Sequence, residues 1–163
     1  MQLEISNRLV ISRAKVEDWK GIYELYSRLD PEDLYNRFFH LYKLNEDEAK
    51  KIAHQRDHVS FVAKVNNEVI GEVSLYYLPD NCGEFSIVVD KRFRNLGIGR
   101  KLIEEIIKFS INHNFNKIIF YTLSSNAPMI TLGRKLGFSI TYEEDVVTGF
   151  MILNRNQSIK ILN

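Results

Sequence analysis

Between residues 94 and 100 the chain reads Arg94-Asn95-Leu96-Gly97-Ile98-Gly99-Arg100, with two closely spaced glycines inside a pair of arginines. The apolar run Phe85, Ile87, Val88 and Val89 leads into it as a strand. Ile98, Leu102, Ile106 and Phe109 lead out of it as a helical stripe. The first turn of a helix leaves backbone N–H groups without intrahelical acceptors, and the helix dipole makes that end positive. A buried strand, a glycine turn and a helix start therefore suit a diphosphate. The glycines let the backbone come close, and Arg94 and Arg100 add charge beside the same oxygens. Two better-known phosphate loops do not fit. A dinucleotide fingerprint needs a third glycine where Leu102 stands, and a Walker loop needs Gly-Lys-Ser or Gly-Lys-Thr, which the chain lacks.

Other residues carry chemical potential with weaker spacing. Glu84 begins the strand that leads into the turn, a place from which a carboxylate can take a proton, with Phe85 and Tyr77 as its expected neighbours. His54 and His58 are four apart but have no evident third metal ligand, so an ordinary histidine pair is expected and no metal. Cys82, the single cysteine, falls in the stretch Pro79-Asp80-Asn81-Cys82-Gly83, read as a loop, and is taken as a bystander thiol. Glu46, Asp47, Glu48 and Asp57 could form an acidic lip for a basic peptide, with Tyr42 lining the entrance. Exposed helix carboxylates are often only a solvated face.

The elements that must position these residues follow from periodicity and punctuation. Arg8 to Ala14 alternates as a strand, and Trp19, Ile22, Tyr23, Tyr26 and Leu29 recur at helical spacing. Asp30-Pro31 starts a second helix, and Asn45 with Glu48 starts another, so Pro31 to Gln55 should break near Leu44. Val59 to Val65 and Glu68 to Tyr77 form a hairpin through Asn66-Asn67. Glu84 to Asp90 is a central strand, Gly97 to His113 a long helix and Lys117 to Leu123 a strand. Asn126 to Leu136 is a short helix closed by Gly137, and Phe138 to Glu143 and Gly149 to Asn154 are the last strands.

Composition sets the frame. The 163 residues suit one domain, 1–163, with an ordinary apolar share of 45% and a net charge of +1. That charge argues against broad nucleic-acid binding. No apolar run approaches the roughly 20 residues of a membrane span. With one cysteine and no signal-like start at Met1-Gln2-Leu3-Glu4, a cytoplasmic location is expected.

The order arginine, two residues, glycine, one residue, glycine, arginine resembles the acetyl-CoA signature of the GNAT superfamily of N-acetyltransferases. Arg13-Ala14 at the first strand, the central hairpin, the turn, and Asn126 leading to Leu136-Gly137-Phe138 follow that superfamily over nearly the whole chain. The resemblance implies an α/β (α+β) fold. Its mixed, mostly antiparallel, V-split sheet would have six to seven strands, with four to five helices on both faces. It also implies that Ile87, Val88 and Val89 pair their backbone with the pantetheine arm of acetyl-CoA. Arg94 and the amides of Asn95, Leu96, Gly97, Ile98, Gly99 and Arg100 would hold the pyrophosphate, and Asn126 would lie beside the pantetheine.

An amine with a pKa near ~10.4 needs a base before it can attack a thioester at neutral pH. Glu84 resembles the glutamate that many GNAT enzymes use through water. Gly133 stands where those enzymes usually carry a tyrosine acid, so Tyr121 or water would have to replace it. The run Leu34-Tyr35-Asn36-Arg37-Phe38-Phe39-His40, with Asp57-His58 and Gly71-Glu72, is similar to the archaeal and bacterial Pat group of protein lysine acetyltransferases. That likeness implies a protein acceptor with an accessible lysine, such as a small basic chromatin protein of the Alba kind, reached past Tyr42, Glu46, Asp47 and Asp57. A monomer or weak homodimer is expected, with no direct nucleic-acid or membrane partner. An N-terminal α-amine or small-molecule acceptor, and a non-catalytic acetyl-CoA sensor, are the alternatives.

Overall fold

The computed structural model describes residue 5, residues 8–38 and residues 43–153. Seven strands form one sheet in the order β1-β2-β3-β4-β5-β7-β6. They are β1 (Leu9–Arg13), β2 (His58–Val65), β3 (Glu68–Leu78), β4 (Cys82–Val89), β5 (Lys117–Leu123), β6 (Ser139–Glu143) and β7 (Val146–Ile152). The helices are α1 (Trp19–Ser27), α2 (Pro31–Phe38), α3 (Glu46–His54), α4 (Ile98–Asn112) and α5 (Ala127–Lys135). Short 3-10 turns occupy Val16–Asp18 and Lys91–Phe93. All neighbouring strands are antiparallel except β4 and β5.

Local chemistry explains the boundaries. Asp30 Oδ1 accepts from Asp33 N at 3.0 Å and starts α2, while Asn45 Oδ1 accepts from Glu48 N at 2.9 Å and starts α3. The expected break near Leu44 thus falls between two separately capped helices. Asn66 and Asn67 both take left-handed φ (51° and 66°), as a two-residue hairpin requires. Two strand starts differ from the sequence reading by more than one residue. Asp80 and Asn81 also turn left-handed, so pairing resumes at Cys82, and Cys82 and Gly83 are strand residues rather than loop. Glu144 does the same before β7, which begins at Val146 instead of Gly149.

Strand alternation sends side chains to two cores. Helix α4 lays Ile98, Leu102, Ile103, Ile106 and Ile107 on one face of the sheet, against Val59, Ala63, Val73, Leu75 and Phe85. Each fully buried aliphatic contributes about 1.5–3 kcal/mol relative to an exposed one. Helices α1 and α3 cover the opposite face through Ile22, Leu25, Tyr26, Ala49 and Ile52, packed on Val62, Val69 and Val88. On that second face Glu72 is wholly buried. It accepts hydrogen bonds from Tyr26 Oη at 2.7 Å and from Ser74 Oγ, and Ser74 lies 2.6 Å from Ser60. These hydroxyls satisfy a carboxylate that burial alone would penalise heavily.

Candidate active site

The parallel pair is the point from which the site is built. Strands β4 and β5 are in register at Cys82 with Lys117, Gly83 with Ile118 and Glu84 with Ile119, and there the pairing stops. Beyond it β4 stays paired to β3 as far as Val89, and β5 stays paired to β7 as far as Leu123. The two strands therefore part, leaving a slot with one free backbone edge on each side. Asp90 N donates to Ile70 O at 2.8 Å, toward β3. Alternation then turns the amides and carbonyls of Ile87 and Val89 into the slot, whereas those of Val88 stay in the β3 ladder. Val88 contributes instead a buried side chain on the α1 face.

At the end of β4 a network of side chains fixes the turn. Asp90 accepts from Arg92 N at 3.0 Å, from Arg92 Nη2 at 2.8 Å and from Arg28 Nε at 2.8 Å. Burial pushes its carboxyl upward, but the hydrogen bonds from Arg92 and Arg28 outweigh this and hold it well below the usual carboxylate range. Arg28 also donates to Val69 O at 2.8 Å, tying the end of α1 to the same corner. Sequence reading passed over Asp90. An aspartate at a strand end, two residues before the N–H it caps, was the available sign.

After this anchor Asn95 (φ 62°) and Gly97 (φ 80°) both adopt left-handed backbone, and α4 starts with Gly97 as N-cap and no side-chain cap. The first main-chain bond of the helix is Lys101 N to Gly97 O at 3.2 Å. Among the described residues, no amide from Asn95 to Arg100 makes a close, well-aligned hydrogen bond to a protein acceptor. Such a run of unsatisfied N–H groups at a helix's positive end is an anion nest. Gly99 adds a second sign. A Cβ there would meet Leu132, Ile87 and Val89 only at 3.6–3.9 Å, ordinary contact, and its φ is not left-handed. Neither packing nor backbone demands glycine at 99, although alanine would favour the helix by about 1 kcal/mol. Glycine there keeps the approach to the first turn open, and the residues present fit the diphosphate of a coenzyme.

The two arginines have protein partners. Arg94 Nη2 lies 2.7 Å from Asp33 Oδ1 of α2, and its Nε donates to Val89 O at 3.2 Å. Arg100 Nε lies 3.0 Å from Glu104 Oε1. Asn126 is the N-cap of α5. Its Oδ1 accepts from Met129 N at 3.4 Å and its Nδ2 donates to Thr122 Oγ1 at 2.9 Å, so its side chain clamps α5 to β5 at the far edge of the slot. Gly133 has a packing reason. A Cβ at that position would stand 2.8 Å from Phe120 Cζ, and one at Gly149 2.1 Å from Phe120 Cε1. The Phe120 ring occupies the volume that a tyrosine at 133 would need.

Glu84 sits half-buried at the vertex where the strands part. Its cross-strand partner is Tyr76, so the two side chains share the sheet face opposite α4. The expected neighbours Phe85 and Tyr77 project to the other face, a correction that follows from the alternation of β3 and β4. Tyr77 there packs edge-on to Phe115, and burial raises its phenol pKa. Across the vertex, Tyr121 is two residues beyond Ile119 on β5 and thus projects to the same face as Glu84, exposed.

Beside Tyr76 opens a cavity of about 690 Å³ between α3 and the ends of β2 and β3, lined by Leu44, Glu48, Lys51, Arg56, Asp57 and His58 among others. The ring of His58 lies 4.9 Å from that of Tyr76 and bridges Asp57 Oδ1 at 2.8 Å and Ile52 O at 3.0 Å. The His58 contact holds the Asp57 carboxyl below its ordinary pKa. Glu46 and Asp47 are exposed on the first turn of α3, outside the cavity lining. Tyr42, Phe39 and His40 lie outside the described residues. His54 is exposed, its Nδ1 2.7 Å from Lys50 O, and no group of three or more metal-ligating side chains occurs among the described residues. No helix among them is long and apolar enough to cross a membrane.

Comparison with known proteins agrees with this geometry. The fold is shared with the GNAT domain of S. lividans PAT (TM-score 0.80, 21% identity, 88% of this chain and 89% of that one). It is shared also with yncA from Salmonella typhimurium, whose structure holds its cofactor acetyl-CoA (TM-score 0.77, 20% identity, 91% and 96%). In sequence the chain is 24% identical over 139 residues to the L-amino acid N-acetyltransferase AaaT of Escherichia coli (strain K12), covering 82% of this chain and 85% of the relative. Residues 19–138 match the acetyltransferase (GNAT) family, from the start of α1 to the strand after α5, a span that contains the slot, the amide nest and Glu84. The chain belongs to that family, the GNAT acetyltransferases, which use acetyl-CoA as the acetyl donor.

Proposed function

We propose that this acetyltransferase modifies the side-chain amine of a lysine on a protein acceptor, by direct transfer with both substrates bound, and that Glu84 is its base. The observation that carries the reading is the position of Glu84. It lies at the vertex of the strand slot, on the face it shares with Tyr76, and Tyr76 also lines the cavity. A group there stands between a donor held in the slot and an acceptor entering from the α3 side. Acetyl-CoA, when bound, supplies the acetyl thioester. The amides of Asn95 to Arg100 and the charge of Arg94 would hold its diphosphate, and the slot-facing backbone of Ile87 with the amide of Val89 its pantetheine arm. Glu84 takes the proton from the incoming ammonium through water, which leaves a free amine able to attack. Tyr121 is the hydroxyl available to hydrogen-bond the departing thiolate.

The likeness of Leu34 to His40, Asp57-His58 and Gly71-Glu72 to the Pat group supports a protein acceptor, and the open cavity beside Tyr76 offers room for its side chain. Glu46, Asp47 and Asp57 would draw in an acceptor of basic character, such as a small chromatin protein, over distances that salt screens. Among small acceptors, the Escherichia coli relative favours an amino-acid α-amine as the second reading. Intact-mass and lysine-resolved analysis after incubation with acetyl-CoA and the host's abundant basic proteins tests the proposal. Acetyl-lysine on a folded acceptor supports it. Modification confined to protein N-termini or free amino acids replaces it with the second reading, and binding of acetyl-CoA without transfer to any acceptor leaves only a sensor.

A further inference from the structure

The cavity beside Tyr76 has a wall whose charge differs from that of the Glu46-Asp47 end of α3. Lys51 and His54 belong to the last turn of α3, where cations complement the helix dipole and need no further reason. Arg56 is different, because it lies past the helix end. The residue between, Gln55, takes left-handed backbone (φ 55°) and is pinned from several sides. Its Nε2 donates to Ala14 O at 2.6 Å and to Ala53 O at 3.2 Å, and its Oε1 accepts from Ser60 N at 2.9 Å and from Arg13 Nε at 3.1 Å. On the other side of Arg56 the Asp57-His58 pair is fixed to Ile52 O. The backbone of Arg56 is thereby held rigidly at the cavity wall. Among the described residues, neither Arg56 nor Lys51 has a carboxylate within ion-pair distance. Lys50 instead lies over the Trp19 ring at 4.6 Å, and the Asp57 carboxylate is already engaged by His58.

We propose that Arg56, seconded by Lys51, is a specificity determinant that binds an acidic side chain next to the acceptor lysine. A guanidinium on a preorganised backbone loses little freedom when it pairs with a carboxylate. The wall adjoins Tyr76, which adjoins Glu84, so the carboxylate and the reacting amine would belong to one short peptide stretch. This inference rests on the protein-lysine reading above. It is compatible with a basic acceptor, because Glu46 and Asp47 act on overall charge from outside the cavity and Arg56 reads one neighbour inside it.

The test uses two dye-labelled peptides that differ only in carrying Glu or Lys on both sides of a single lysine, with the parent protein, Arg56→Glu and Arg56→Gln. Thiol release gives kcat/KM, and fluorescence anisotropy gives peptide affinity for the CoA-loaded protein. The parent should favour the Glu-flanked peptide by about fivefold, the scale of one exposed ion pair. Arg56→Gln should bring the ratio near unity and Arg56→Glu should reverse it, with KM for acetyl-CoA unchanged. Equal use of both peptides by the parent, or the same preference in parent and Arg56→Glu, overturns the inference. If neither peptide is acetylated, the lysine reading fails and anisotropy decides this one separately. Weaker binding of the Glu-flanked peptide by Arg56→Glu supports it, and identical or absent binding rejects it.

Discussion

The turn between β4 and α4 and the cavity between α3 and β2 flank the same strands, and in the function proposed above they recognise their ligands by different means. The turn works through main chain. Its amides from Asn95 to Arg100 are aimed by left-handed Asn95 and Gly97 and by the Asp90-Arg92-Arg28 network, and side-chain identity matters little except where glycine keeps space open. The cavity works through side chains, with Arg56, Glu48 and Tyr76 on its wall and Glu84 beyond. A main-chain site suits a donor that is the same in every turnover, and a side-chain site suits an acceptor that must be told from its competitors.

The sharpest way to separate the two is to remove the side chain proposed to serve only chemistry. Glu84→Gln should lower turnover about a hundredfold, the low end of general-base effects, and leave acetyl-CoA affinity intact, as steady-state rates and calorimetry would report. Loss of donor affinity instead would move Glu84 to the donor side of the comparison. Next in size is Gly99→Ala. The added methyl meets nothing closer than 3.6 Å, so thermal stability should hold or rise by up to about 1 kcal/mol while CoA affinity falls about tenfold. Unchanged affinity would mean that the ligand does not approach the first turn of α4.

These two regions also differ in how far they could be read from sequence. Glycines and arginines between a buried strand and an amphipathic helix are local signals, so the turn was legible residue by residue, as was the Asn66-Asn67 hairpin. The slot was expected only through the family resemblance, because the end of β4-β5 pairing at Glu84 and Ile119 is a tertiary fact. Glu84 could be picked out as a candidate base, but its neighbours could not. Which of Tyr76 and Tyr77 shares its face depends on the β3-β4 register, and that register follows from a turn tightened by left-handed Asp80 and Asn81. The partner of Arg94 was equally hidden. Asp33 is far from it in sequence and reaches it only because α2 packs against β4.

Two smaller effects extend the comparison. The double charge reversal Glu46→Lys with Asp47→Lys should lower kcat/KM for a basic protein acceptor about threefold at low salt and hardly at all at high salt. Salt-independent kinetics in both proteins would remove the acidic lip. The smallest effect concerns Asp30, whose hydrogen bond with Lys91 ties the start of α2 to the donor turn and lowers its pKa from 3.8 to about 2. A depressed folded pKa gives stability that is present above pH 3.8 and is lost as pH falls toward 2. Asp30→Asn should therefore be slightly less stable than the parent at neutral pH, with the difference vanishing near pH 2. A constant difference across that range would assign the loss to something other than the ion pair.

Whether main-chain N–H groups from Asn95 to Arg100 grip the donor's diphosphate can be read from a titration of the isotope-labelled protein with CoA, followed by amide NMR. Saturable shifts should be largest at those amides, with smaller ones at Ile87 and Val89. Saturable shifts concentrated elsewhere, or no binding at all by the folded protein, would contradict it.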